Sequence, residues 1–215
     1  MELRCSAFLF DLDGVLVDSR AVVERVCRVW AQRHGLDPEK VLRIAHGRRS
    51  VDTVRAAAPH LVADREAAWI DAVELADLDG LTAVPGSGAL LAALPKARWA
   101  VVTSCGRPLA ERRLTAVGLP IPAIVVTSED VLQGKPAPDG YRLGAKRLGC
   151  DPAACIVFED APAGVAAGRN AGARVIALTT MLAPHELAGA DATIPDFTAI
   201  RVRQDRDGFV VTTGI

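Results

Sequence analysis

Two aspartates, Asp11 and Asp13, stand one residue apart in Phe10-Asp11-Leu12-Asp13-Gly14, directly after a short apolar run. Two carboxylates at that spacing reach one reacting centre if the chain turns there, one as a nucleophile and the other as proton donor and acceptor. Gly14 permits the turn. Taken alone, the pair fits a polar strand exit equally well, because Asp-Gly is an ordinary turn dipeptide. Three further groups narrow the reading. Thr103 and Ser104 end a second apolar run and offer hydroxyls and turn amides to a phosphoryl oxygen; Lys135 is fixed between Gly134 and Pro136; Glu159 and Asp160 form a second acidic pair. Each has a bland explanation: a strand-ending hydroxyl, a solvated lysine, a helix-capping acid. Together they supply a nucleophile, an acid/base, an oxyanion clamp and a hard-cation site.

The elements that must position these groups show as alternating patterns. Near-continuous apolar runs at 6–10, 99–103, 123–127, 155–159 and 174–178 predict strands covered on both faces. Helical stripes lie between them: Ala110, Leu114 and Val117, closed by Gly118, and Tyr141, Ala145 and Leu148, closed by Gly149. Strand alternating with helix predicts an α/β fold with a doubly wound, Rossmann-like parallel sheet. Ligands of such sheets bind beyond the carboxyl ends of the strands, which brings the candidate groups to one edge.

The stretch 19–79 breaks this rhythm. It holds no good strand and at least two amphipathic helices, one with the stripe Val22, Val26, Val29 and Trp30, the other with Trp69, Ala72, Val73 and Ala76. The expectation is a small α-helical cap domain, 16–80, inserted into a catalytic core of 1–15 and 81–215. In the tail, Asp207-Gly208 between apolar residues predicts a hairpin. Gly164 and Gly168, with Ala163, Ala166 and Ala167, predict a helix packed closely on the sheet. Pro85-Gly86-Ser87-Gly88 lacks the third glycine of a dinucleotide fingerprint and reads as a loop entering a helix.

Bulk properties exclude several classes. The chain has 215 residues, half of them apolar, and a formal net charge of -1 with no block of Lys and Arg, so no affinity for nucleic acid or a membrane surface is expected. No run approaches the roughly 18–20 apolar residues that span a bilayer. The five cysteines form no Cys-x-x-Cys pair, and the four histidines include no helical metal-binding pair. Reduced thiols in the cytoplasm are the expectation, with a monomer as the default. Cys105, beside the oxyanion clamp, reads as an inert thiol.

The ordered set Asp11-Leu12-Asp13-Gly14-Val15-Leu16-Val17-Asp18-Ser19, Thr103-Ser104, Lys135-Pro136 and Glu159-Asp160 resembles the four motifs of the haloacid-dehalogenase superfamily of phosphotransferases. The helical insertion matches that family's first cap type in position and size. The stretches Gly134-Lys135-Pro136-Ala137-Pro138-Asp139 and Phe158-Glu159-Asp160-Ala161-Pro162-Ala163-Gly164 are similar to those of bacterial sugar phosphatases and yeast-type glycerol-phosphate phosphatases. The resemblance implies a Mg²⁺-dependent phosphatase of small-molecule phosphate esters. Asp11 would form an aspartyl-phosphate, and Asp13 would serve as acid and then base, favouring phosphoryl transfer over dehalogenation. Thr103, Lys135 and the Ser104 amide would hold the phosphoryl oxygens. Asp11, Asp160 and the main-chain carbonyl of Asp13 would hold the metal, with Glu159 either ligating directly or orienting the ligands. Substrate selectivity would fall to the cap, through His46, Gly47, Arg48 and Arg49, and to Arg107 just past the second motif; a solvated interhelical loop is the plain alternative for His46 and Arg48. Two competing readings share the motifs: a mutase similar to β-phosphoglucomutase, and a regulatory or binding protein that kept the fold without turnover.

Overall fold

The computed structural model describes residues 1–206 and 208–214. Six strands form one parallel sheet: β2 (Ala7–Phe10), β5 (Trp99–Val102), β6 (Val125–Val126), β7 (Cys155–Glu159), β8 (Arg174–Leu178) and β9 (Ala192–Ile194), in the spatial order β6-β5-β2-β7-β8-β9. The predicted runs at 155–159 and 174–178 coincide with strands, whereas that at 123–127 pairs only over Val125 and Val126. β9 escapes a hydrophobic-run reading because Ala-Thr-Ile is too short and too mixed to stand out.

Every residue of β2, β5 and β7 is buried, as two-sided coverage demands. The faces differ in size. Phe8, Phe10, Val101, Ile156, Phe158 and Ile176 point to one side. Ala7, Leu9, Ala100, Val102, Val157 and Val175 point to the other. The larger face stacks Phe10 on Phe158 at 5.0 Å between ring centroids. It is covered by α5 (Ser87–Ala93), by α6 (Arg107–Ala116) and by a small antiparallel sheet. In that sheet β1 (Glu2–Cys5) pairs with β11 (Gly208–Thr213), and β11 pairs with β10 (Ile200–Asp205). The hairpin expected in the tail is therefore present; its Asp207 lies outside the described residues.

The smaller face admits α7 (Asp139–Arg147) and α8 (Pro162–Ala171) at close range. At Gly168 a Cβ would press on Val157 and Val175, which is why the glycines expected to seat this helix on the sheet stand there. Helices on both faces make the sheet doubly wound, as expected.

Between β3 (Val17–Asp18) and β4 (Thr82–Ala83), which pair antiparallel, lie four helices: α1 (Arg20–Arg33), α2 (Pro38–Ala45), α3 (Ser50–Ala57) and α4 (Ala63–Ala76). They share a core of Val22, Val26, Trp30, Val41, Leu42, Val54 and Ile70. Two stripe expectations need correction. Val29 is exposed and Cys27 takes its place in the buried face of α1. On α4, Ala72 and Ala76 face outward, and the buried residues are Glu66, Ala67, Ile70 and Glu74. Hydrophobic periodicity missed this face because two glutamates occupy it, each with a partner: Glu66 accepts from Trp30 Nε1 at 3.1 Å, and Glu74 pairs with Arg113.

Phe8 carries the seam between the parallel sheet and the antiparallel one, with its ring 5.0 Å from that of Phe209. Phe8→Ala should lower unfolding free energy by about 3–5 kcal/mol in urea titration, from lost transfer energy plus a cavity. A loss below about 1 kcal/mol would mean the seam collapses around the gap.

Candidate functional site

Register sets the site. Phe10 lies level with Val101 on one side and Phe158 on the other, so the residues following these strands emerge together. The ladder runs one residue further, with Asp11 N donating to Phe158 O at 3.0 Å and Thr103 N to Val126 O at 2.9 Å. Asp11 is thereby fixed by its backbone at the sheet edge.

Lys135 reaches this edge from the loop before α7. Its Nζ lies 2.8 Å from Asp11 Oδ1 and 2.6 Å from Glu159 Oε1. Burial works against the ammonium, but the Asp11 and Glu159 carboxylates outweigh it and hold the lysine above its ordinary range. Glu159 is fully buried and engaged at both oxygens, since Tyr141 donates its hydroxyl to Oε1 and the Asp160 amide donates to Oε2 at 3.1 Å. Asp11, despite Lys135, is pushed by burial up to about 7. Burial, then the neighbouring Glu159 and Asp11, raise Asp160 well above the carboxylate range.

Asp13 is turned away from this cluster. Its Oδ1 accepts from Ser19 Oγ at 2.7 Å, and its Oδ2 lies 2.7 Å from Arg113 Nη1. Arg113 extends from α6 and places Nη2 at 2.9 Å from Glu74 Oε2 on α4. Burial pushes Glu74 up to about 7 against the pull of that arginine. Thr103 is buried, and its Oγ1 accepts from the Cys105 amide at 3.2 Å. The Ser104 hydroxyl donates to Gly47 O at 2.9 Å, so this side chain ties the sheet edge to the helical block. Cys105 is held far above its ordinary range, chiefly by burial, in keeping with an unreactive thiol.

A cavity of about 90 Å³ lies between these groups and the helices. Asp11, Asp13, Thr103, Ser104 and Asp160 line it from the sheet side; His46, Arg48, Ser50 and Glu74 line it from the helices. Burial draws His46 below its usual range, which favours the neutral ring. Gly47 has φ +71° and packs where a Cβ would strike Ala161. Two expected selectivity residues point elsewhere. Arg107 donates to Val125 O at 3.0 Å and pairs with Glu111 and Asp130, because its place at the first turn of α6 directs it along the sheet edge. Arg49 donates to Asp52 at 2.6 Å and to Leu132 O at 3.2 Å.

Sequence reading missed Ser19, Glu74, Arg113 and Tyr141 as site residues. For Arg113 a signal existed, since it follows Ala110 by three and adjoins Leu114 on the predicted buried stripe.

The buried carboxylates Asp11, Glu159 and Asp160 each offer an oxygen within 4.8 Å of the others. Three acids against one lysine leave excess negative charge, and an all-oxygen donor set suits a hard divalent cation better than zinc. Space has been kept for them: a Cβ at Gly14, whose φ is +73°, would fall on the Asp160 carboxylate, and one at Gly164 on that of Glu159. The residues present therefore fit a Mg²⁺ ion.

A family model described as haloacid dehalogenase-like hydrolase matches residues 5–172. The chain is 44% identical to Hexitol phosphatase A of Escherichia coli (strain K12), over 97% of this chain and 99% of that protein. It is 33% identical to Glycerol-1-phosphate phosphohydrolase 2 of Saccharomyces cerevisiae, over 94% and 86% respectively. Among solved structures, a hydrolase from Pseudomonas syringae superposes with a TM-score of 0.82 at 27% identity, covering 90% of this chain and 94% of the other.

With its pKa raised in the folded state, Asp11 contributes stability that is fully present below the unfolded carboxyl pKa of about 4, and this is lost as pH rises through about 7. A cation held by this carboxylate would take the proton's place. The rise in Tm caused by added Mg²⁺ should therefore be larger at about pH 8 than at about pH 6. Equal rises at both pH values in thermal melts would show that no cation meets this carboxylate.

Proposed function

Because the chain belongs to the haloacid dehalogenase-like hydrolases, we propose that it is a Mg²⁺-dependent phosphatase of small sugar or polyol phosphates, with Asp11 as nucleophile. The observation that carries this reading is the buried Asp11 carboxylate, 2.8 Å from Lys135, beside two further acids at the floor of a cavity. The phosphatases named among its relatives support the substrate class.

In this reading residues 1–15 and 81–215 form the catalytic core and 16–80 a cap. Asp11 and Asp160, with the main-chain carbonyl of Asp13, would hold Mg²⁺; when bound, the ion supplies the positive charge that offsets repulsion between a carboxylate and a phosphate dianion. Glu159, held by Lys135, Tyr141 and the Asp160 amide, would orient its neighbours and complete the acidic cluster around the ion. Asp11 attacks phosphorus in line: its oxygen bonds to phosphorus as the ester P–O bond breaks, giving an aspartyl-phosphate. Asp13 gives its proton to the leaving alkoxide, then takes one from the water that cleaves the intermediate. Thr103, Lys135 and the Ser104 amide hold the non-bridging oxygens; the Ser104 hydroxyl is already committed to Gly47. His46 and Arg48, with Gly47 setting their loop against Ala161, face the leaving group. The free cysteines suit a reducing cytoplasm.

Phosphate release from hexose, hexitol and glycerol phosphates should require Mg²⁺, and Asp11→Asn should lower kcat by at least about 10³-fold. Release unchanged by this variant, or unaffected by a chelator, would overturn the reading. Arg48→Ala should raise KM for the preferred ester about tenfold with little change in kcat, since it removes binding remote from phosphorus. A matching loss in kcat with KM intact would move Arg48 from selectivity to the chemical step.

A further inference from the structure

We propose that Arg113 is a positioning residue for Asp13, and that Glu74 of the helical block sets how firmly it holds that carboxylate. The inference rests on the reading of Asp13 as proton donor in an Asp11 phosphatase. Such a donor must bring one oxygen to the leaving group. Here each oxygen has one partner: Oδ1 accepts from Ser19 and Oδ2 lies 2.7 Å from Arg113 Nη1. Ser19 can give up Oδ1 while Arg113 keeps Oδ2, so the arginine fixes the direction in which the carboxyl faces the cavity.

How firmly Arg113 holds Oδ2 depends on its second partner. Its side chain is 2% exposed, so its charge depends chiefly on protein partners. Its Nε has no hydrogen-bond partner among the described residues. The guanidinium is therefore held by two carboxylates alone, Asp13 on the sheet side and Glu74 on α4. A bidentate cation shared between two acids shifts toward whichever approaches more closely. Movement of α4 toward α6 strengthens the Glu74 arm and loosens Asp13; movement away leaves the whole guanidinium on Asp13. Ser19 lies one residue before α1, so the second restraint on Asp13 also leads into the helical block.

The chemical step tells positioning from mere structure. As the Asp11–phosphorus bond forms and the ester P–O bond breaks, an alkoxide leaving group needs the proton of Asp13, whereas p-nitrophenolate leaves without one. Single-turnover rates would be measured for glycerol phosphate and p-nitrophenyl phosphate with wild type, Arg113→Met, Arg113→Lys and Glu74→Gln. Arg113→Met should slow alkyl ester cleavage by about 10²-fold, while p-nitrophenolate release falls by less than about threefold, with KM little changed. Arg113→Lys, which keeps the positive charge on a single nitrogen, should restore part of the alkyl rate. Glu74→Gln should slow the alkyl ester as well, and its effect should vanish when Arg113 is already Met. Should Arg113→Met fail to fold, the lysine and glutamine variants carry the same comparison. Equal losses on both esters, or additive effects of the two sites, would overturn the proposal. Wild type inactive on both esters would instead sink the phosphatase reading beneath it.

Discussion

Three carboxylates, Asp11, Glu159 and Asp160, are buried within reach of one another, and a single ammonium, that of Lys135, lies among them. Burying like charges is costly unless each is paired, hydrogen-bonded or protonated, and much of the surrounding architecture answers that cost. Tyr141 and the Asp160 amide complete the shell of Glu159. Gly14 and Gly164 keep side-chain volume off the Asp160 and Glu159 carboxylates. Burial first, and then the neighbouring acids, hold the Asp11 and Asp160 carboxyls above their ordinary range despite Lys135.

The sheet makes this crowding possible. Parallel register places the exits of β2, β5 and β7 side by side, so acids far apart in sequence meet without any local loop having to reach. The asymmetry of the two faces matters as well. Phenylalanines stack beneath the site on one side, while alanines and glycines on the other let α7 and α8 approach, carrying Tyr141 and Gly164 to Glu159.

The helical block lines the cavity with apolar groups such as Trp30, Val41 and Ile70 and with polar ones. Its face toward the sheet brings His46, Arg48, Ser50 and Glu74 to the cavity, and two of its links to the sheet side are polar: Ser104 to Gly47 and Arg113 to Glu74. Polar links of this kind are directional and can be exchanged for substrate contacts, whereas an apolar seam would resist parting. On the buried face of α4, Glu74 makes one of these links, whereas Glu66 meets Trp30 and His34 within the block.

The sequence by itself determined the parallel α/β core, the helical insertion and the identities of Asp11, Asp13, Thr103, Ser104, Lys135, Glu159 and Asp160 as candidates. Apolar runs and strand-ending acids are local patterns, and a buried parallel strand has almost no other way to be written. Only the tertiary structure decided that Arg107 and Arg49 turn to partners outside the cavity, that Asp13 is held by Ser19 and Arg113, and that Glu159 is filled on both oxygens. The direction of a long charged side chain depends on which partner another element presents. Arg112 and Arg113 are neighbours on one helix, yet only the second meets two acids, because only its face looks toward α4. That choice is made by packing between segments distant in the chain, and no periodicity within either segment records it.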